Sequence, residues 1–222
     1  MPRLKCNERR LPAARLLVAL SACISFMQAG AAALEEDFAI AVANDRVGQV
    51  KDFLARGVDP NSVDAAGDPA LVVAARGGNA AMVEVLLAAN ANVNARTKSG
   101  DTAFMAAALT GNLGIMRTLR AKGAALENVG WTALIYAATG GNDAIVSYLL
   151  GEGANINALS PNGTTALMMA VREAKGSTVE LLIAKGANVN LRNQNGASAL
   201  DWALRGNEKK MAEQLRRAGA TE

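Results

Sequence analysis

The sequence predicts an all-α protein, a solenoid of about six helix-turn-helix units joined by hairpin-like loops. A motif of roughly 33 residues recurs along most of the chain, which is typical of repeat proteins. Apolar residues recur at helical spacing in both halves of each copy. The composition is rich in alanine and leucine and poor in aromatic residues, which suits short helices in close contact.

Five glycines mark the starts of successive copies, with spacings of 33, 30, 33 and 33 residues. They are Gly67, Gly100, Gly130, Gly163 and Gly196. Each is followed 23 residues later by a second landmark, an asparagine or a glycine. Counting back 23 residues from Gly57 reaches Leu34, so a sixth, atypical unit is predicted to begin there.

Each copy is predicted to hold two short amphipathic helices. In the fourth copy the two halves have the sequences WTALIYAATGG and DAIVSYLLGEGANIN, with apolar residues at i, i+3 and i+4. Gly78, Gly111 and Gly141 stand between the halves, where a tight reversal favours positive φ. The dipeptides Asn162-Gly163 and Asn195-Gly196 predict type I′ turns at the tips of the loops between units.

The repeated motif resembles that of the ankyrin family. The family pattern is Gly-x-Thr-Pro-Leu-His-x-Ala-Ala, closed by Leu-Leu-x-x-Gly-Ala-x-x-Asn, and it covers almost all of residues 34–222. The best matches are Thr132-Ala133-Leu134 with Ala137-Ala138, and the stretch from Leu149 to Asn157. The chain departs from the pattern because it has no histidine and because alanines such as Ala133 occupy the proline position. The resemblance implies an ankyrin-repeat solenoid that binds other proteins.

Residues 1–33 are predicted to be a secretory signal that is cleaved from the mature protein. A basic stretch, Arg3 to Arg15, precedes an apolar run from Leu16 to Met27. That run, about twelve residues, is too short to cross a bilayer as a helix. The small-x-small cleavage rule places the cut before Leu34 or, almost equally well, before Ala32. The alternative is that this segment forms a buried first helix of the domain.

The repeat domain is predicted to fill residues 34–222. Its approximate units are 34–63, 64–96, 97–127, 128–159, 160–192 and 193–222. The whole chain has a formal charge of +3, but 18 basic and 19 acidic residues remain from Leu34 onward. We therefore expect no nucleic-acid partner, because the basic excess belongs to the leader.

Both cysteines, Cys6 and Cys23, lie in the predicted leader, so the mature protein is expected to contain no thiol and no disulfide. The sequence Leu20-Ser21-Ala22-Cys23 resembles a bacterial lipobox, in which the cysteine becomes a lipid anchor. The apolar run continues past Cys23, which favours a cut further along the chain. A lipid-anchored protein therefore stays the alternative to a freely exported one.

The residue types present offer little for catalysis. The chain has no histidine, no Gly-x-x-x-x-Gly-Lys-Ser/Thr motif and no Gly-x-Ser-x-Gly motif. The acidic group Glu35, Glu36 and Asp37 suits the first turn of a helix. The repeated asparagines superficially resemble a calcium-binding series, but the family uses these positions to hydrogen-bond the turn backbone. We therefore expect no enzyme, no cofactor and no bound metal.

A solenoid of this kind presents a concave surface of loop tips and inner helices, and the resemblance implies that a protein partner binds there. Trp131 is the sharpest candidate because it follows the loop glycine in the one linker that is three residues short. Leu109 is predicted on the same surface; alternatively, Trp131 folds inward and fills the gap between units. Tyr136 and Trp202 occupy a helix position that normally packs, so both are predicted to be core. The other predicted contacts are Lys98, Asp101, Arg76, Asn162, Arg172, Glu173 and Arg205.

The predicted function is a monomeric, non-catalytic interaction module or scaffold in the bacterial periplasm. Resemblance to exported bacterial ankyrin proteins implies either an association with a catalase in oxidative-stress defence or a role as the immunity partner of a secreted toxin. No residue of the sequence selects between these two partners. A host-directed secreted effector and a membrane-tethered lipoprotein scaffold remain the alternatives.

Overall fold

A computed structural model describes residues 33–126 and 130–221 as successive pairs of helices. The predicted leader, apart from residue 33, lies outside the described residues. These residues contain twelve helices and no strand, which confirms the all-α solenoid. None of the described helices is both long enough and apolar enough to cross a membrane. The helices are α1 (helical over 33–43), α2 (Val47–Ala55), α3 (Ala70–Gly77), α4 (Ala80–Ala88), α5 (Ala103–Thr110), α6 (Leu113–Ala121), α7 (Ala133–Gly140), α8 (Asp143–Gly151), α9 (Ala166–Arg172), α10 (Gly176–Ala184), α11 (Ala199–Arg205) and α12 (Lys209–Arg217).

The first helix of each pair packs against the first helix of the next pair, and we call α1, α3, α5, α7, α9 and α11 the inner helices. Their contact surfaces are built from small residues, including the fully buried pairs Ala107-Ala108 and Ala137-Ala138. Alanine lets two backbones approach closely and still favours the helix. Each unit therefore buries its apolar side mainly against its neighbours.

Hydroxyl side chains begin four of the inner helices. The Oγ1 atoms of Thr102, Thr132 and Thr165 each accept a hydrogen bond from the backbone N–H three residues later, and Ser198 does the same. Pro69 stands at this position before α3 and makes no such bond. The recurring threonine of the sequence motif is therefore a helix cap.

The turn between the two helices of a unit uses left-handed backbone, as predicted for Gly78, Gly111 and Gly141, whose φ angles are 75°, 83° and 75°. Ala174 takes the same place in the fifth unit with a φ of 54°. An alanine pays roughly 1–2 kcal/mol in this region because its Cβ crowds the backbone. The packing of α9 and α10 on both sides holds it there.

The predicted type I′ turns at Asn162-Gly163 and Asn195-Gly196 are wrong, because only the glycines have positive φ, at 78° and 73°. The Gly163 N–H donates to the Ser160 carbonyl at 2.8 Å, which closes a turn that ends in a left-handed glycine. The Ser160 hydroxyl also accepts from the Thr164 N–H at 3.0 Å. This side-chain bond holds the loop in a way that the dipeptide alone does not indicate.

Asparagine side chains connect the loops of neighbouring units, which is the structural use that the family resemblance implies. Asn61 Oδ1 accepts from the Asn92 N–H at 2.7 Å, and Asn94 Oδ1 accepts from the Ala125 N–H at 2.9 Å. The same bond recurs from Asn188 to Asn157 and from Thr221 to Asn190. The corresponding position between the third and fourth units is residue 127, which lies outside the described residues.

Candidate functional site

The fourth residue of each inner helix lies on the side that carries the loop tips, and we call the surface formed by this side and the tips the inner surface. Most residues at this position are small or aliphatic, but the fourth and sixth units have aromatic side chains. The six residues are Ile40, Val73, Ala106, Tyr136, Met169 and Trp202.

Three side chains join the third and fourth units on this surface, and we call Trp131, Tyr136 and Asp101 the central cluster. The Tyr136 hydroxyl donates to Asp101 Oδ1 at 2.5 Å. The Trp131 and Tyr136 rings lie 6.1 Å apart between centroids, at 46° to each other. Both rings are partly buried and pack against the core. Trp131 is therefore neither fully enclosed nor free in solvent, and it rests on a tyrosine that Asp101 holds in place.

Burial raises the pKa of Tyr136 far above its ordinary value, and the hydrogen bond to Asp101 and the charge of Asp101 raise it further. The positive charge of Arg76 acts in the opposite direction. Arg76 is itself held by an ion pair with Asp68, with 2.8 Å between Nη1 and Oδ2. The electrostatic surroundings of the central cluster therefore extend back to the second unit.

Leu109 and Lys98 also lie on exposed parts of the inner surface. Leu109 is 38% exposed, and its carbonyl accepts a hydrogen bond from the Asn142 side chain at 3.1 Å. Lys98 extends across Gly67 of the preceding loop, so a Cβ at that glycine would clash with the lysine side chain. Leu109 thus offers apolar surface one unit before Trp131, and Lys98 offers charge near the tips.

Three of the predicted contact residues form a second group near the end of the stack. The Arg172 guanidinium lies 5.9 Å from the centroid of the Trp202 ring and forms an ion pair with Glu173, with 2.9 Å between Nε and Oε1. Arg205 is exposed and lines the same shallow groove as Trp202. The structure therefore divides the predicted contacts between a central and a C-terminal group.

Asn162 has a structural task in addition to its exposed position. Its Oδ1 accepts from the Ser160 hydroxyl at 2.5 Å and from the Thr164 N–H at 3.2 Å. Its carbonyl also accepts from the Gln194 N–H of the next loop at 3.0 Å. A substitution of Asn162 would therefore disturb the loop as well as any contact that it makes.

The prediction that Tyr136 and Trp202 are core residues is only partly right. Both pack against the core, but both remain partly exposed on the inner surface. Ala106 and Met169 at the same helix position are only 8% and 3% exposed. An aromatic ring is too large to be enclosed at a position of this kind. Its appearance where the neighbouring unit has alanine was the signal available in the sequence.

The described residues contain no group of three or more histidine, cysteine, aspartate or glutamate side chains arranged to hold a metal ion. Glu35, Glu36 and Asp37 lie exposed on α1. The inner surface offers aromatic area, charges and hydrogen-bonding groups, and these are the means of binding a partner.

Comparison with known families agrees with this architecture. A family model described as ankyrin repeats (3 copies) matches the chain over residues 38–127, 89–160 and 134–221. The three matches overlap and together cover well over half of the chain. No curated protein matches the sequence.

The central cluster predicts how the two tyrosines of the chain titrate. Burial raises the pKa of both Tyr136 and Tyr148, from an ordinary value of 10.0. In a spectrophotometric titration of the folded protein, phenolate absorbance should therefore appear above pH 10. Tyr136→Phe should remove the part that titrates at the highest pH, and Tyr148→Phe is the matched control that leaves it. If the remaining tyrosine titrates at the ordinary value in Tyr148→Phe, the buried bond to Asp101 is absent.

Stability should follow the same sign. A tyrosine whose pKa is higher in the folded state than in the unfolded state contributes stability that is complete below pH 10 and is lost as pH rises above it. In urea unfolding at increasing pH, the wild type should therefore lose more stability above pH 10 than Tyr136→Phe does. An equal loss in both proteins would contradict this account.

Proposed function

The chain belongs to the ankyrin-repeat family, and on that premise we propose that it is a scaffold that binds a protein partner on its inner surface in the bacterial periplasm. Ankyrin repeats are in general protein–protein interaction modules, and the family is typically non-catalytic. The repeats occupy the described residues from end to end, so the proposed binding site must be built on them.

The central cluster is the observation that carries this proposal. Interface anchors are commonly aromatic side chains or arginines surrounded by groups that exclude water. Trp131 has this character because one side of it packs against Tyr136 and the rest remains accessible. The bond from Tyr136 to Asp101 fixes the supporting ring before any partner arrives. A preorganised anchor loses less conformational entropy on binding than a mobile one.

Residues around the cluster supply the rim of the proposed interface. Leu109 adds exposed apolar area, and Arg76 adds a guanidinium that Asp68 already orients. Arg172 and Arg205 extend the surface towards the last unit, where Trp202 offers a second aromatic face. An elongated contact across several units is how stacked repeats usually bind.

The proposed location rests on the sequence of the first 33 residues. A basic stretch followed by a short apolar run and small residues is typical of an export signal. A mature chain without cysteine also suits an oxidising compartment, because no thiol is present to oxidise. The partner that we propose is therefore a protein of the cell envelope, and family resemblance points to a catalase or a secreted toxin.

The anchor role of Trp131 can be tested by partner capture from periplasmic extract. Trp131→Ala should retain less than a tenth of the captured partner, because loss of an interface anchor costs about 2 kcal/mol or more. Tyr148→Ala is the matched control, since Tyr148 is a partly buried aromatic on the outer helix α8. It should capture the partner at the wild-type level.

Two results would contradict the anchor role. One is wild-type capture by Trp131→Ala. The other is a loss of unfolding free energy of about 3–5 kcal/mol in urea, the cost of truncating an enclosed aromatic. That cost would mean that Trp131 fills the gap between units instead of meeting a partner.

The proposed location predicts the mass of the mature protein. Mass spectrometry of the chain recovered from a periplasmic fraction should give an N-terminus at Leu34 or Ala32. A lipid-modified Cys23 would contradict the free periplasmic form and support the tethered scaffold. Recovery of the processed chain mainly from culture medium or host cells would support the secreted effector instead.

A further inference from the structure

We propose that a groove at the N-terminal end of the inner surface binds a partner segment in which an aliphatic side chain lies between lysine or arginine residues. The inference rests on the proposed function, because it assigns a chemistry to one part of the partner. The groove lies between α1 and the loop residues 63–66, and its volume is about 620 Å³.

The groove has an apolar wall formed by Ile40 and Val63. These side chains are 47% and 53% exposed, and they are two of the five large apolar side chains exposed among the described residues. Ile40 stands at the fourth position of its inner helix, where Ala106 and Met169 are almost fully covered. The Val63 backbone pairs with Pro69 in an isolated bridge, so this side of the groove is held in place. An aliphatic side chain would cover both residues.

The rim of the groove carries only negative charge. Glu35, Glu36 and Asp64 line it, and no lysine or arginine does. Neither Glu35 nor Glu36 forms an ion pair or hydrogen bond with another described residue. Asp64 Oδ1 accepts from the backbone N–H groups of Ala66 and Asp68 at 2.9 and 2.8 Å, which fixes the carboxylate in the loop. Three carboxylates around an apolar wall are complementary to cations on either side of an aliphatic residue.

Neighbouring cations do not cancel this charge. Lys98 extends across Gly67, outside the residues that line the groove, and Arg76 is paired with Asp68. Cleavage before Leu34 would add one ammonium group beside Glu35, and the rim would still carry net negative charge. Lysine and arginine also have long apolar stems that can lie along Ile40 while the charged end reaches a carboxylate.

A synthetic peptide tests the inference without knowledge of the partner. The probe is an acetylated, amidated peptide Gly-Lys-Leu-Leu-Lys-Gly, and its matched control has glutamate in place of both lysines. Backbone-amide NMR of the processed protein should show shifts confined to residues 35–43 and 63–66. The lysine peptide should bind at least tenfold more tightly than the glutamate peptide at low salt, and added salt should reduce the difference.

Variants of the groove identify the contributing groups. The double variant Glu35→Gln and Glu36→Gln should weaken the lysine peptide at least fivefold, and Ile40→Ser should weaken it by a similar factor. Circular dichroism should show unchanged helix content in both, because these three side chains are on the surface. Equal binding of the two peptides, or shifts located outside the groove, would overturn the inference.

The same variants separate this inference from the proposed function. Once a partner is captured, Ile40→Ser should weaken the capture, whereas Trp131→Ala should leave binding of the lysine peptide unchanged. If Trp131→Ala abolishes capture and Ile40→Ser does not, the groove fails and the binding function stands. If Ile40→Ser has the only effect, the central anchor fails and the groove stands.

Discussion

The structure depends on one constraint: no unit can bury its apolar side without its neighbours. The inner helices meet through alanine pairs, and each loop is tied to the next by an asparagine side chain where the described residues show one. These contacts require a constant spacing between units, which is why caps, glycine turns and asparagines recur in the same places. The inner surface is the part of the stack that this packing leaves available for a partner.

The spacing changes once, between the third and fourth units, where the linker is three residues shorter. Here the contacts between units include side chains that other junctions do not use in this way. Tyr136 reaches Asp101, Asn142 donates to the carbonyls of Ala108 and Leu109, and Arg120 pairs with Glu152. The short linker also places Trp131 directly beside this junction. The position that holds the irregular junction together is therefore the one that offers the largest aromatic surface.

The sequence predicted the fold well because the same physical solution is repeated about six times. A helix cap or a turn glycine that is ambiguous in one copy becomes clear when it recurs every 33 residues or so. The turn type was not predictable from Asn162-Gly163 alone, because Ser160 two residues earlier decides how the loop is held. Repetition helps least in a unit that departs from the pattern. The groove beside Ile40 lies in the atypical first unit, where no equivalent residue indicated exposure.

Of the candidate site, the sequence identified Trp131, Asp101 and Arg76 as residues of one surface but assigned Tyr136 to the core. The partner of Tyr136 lies 35 residues earlier in the chain, and no local pattern indicates such a bond. Only the stacking of two units brings the hydroxyl and the carboxylate together. The export signal and the identity of the partner stay predictions.

Hydrogen–deuterium exchange of the protein alone and with its captured partner tests the central claim most directly. If the partner binds the inner surface around the central cluster, exchange should slow at the loop residues 98–101 and 130–132 and in α5 and α7. The outer helices α4, α6 and α8 should exchange at the same rate in both samples. Protection confined to those outer helices, with no change at the loop tips, would contradict the proposed binding surface.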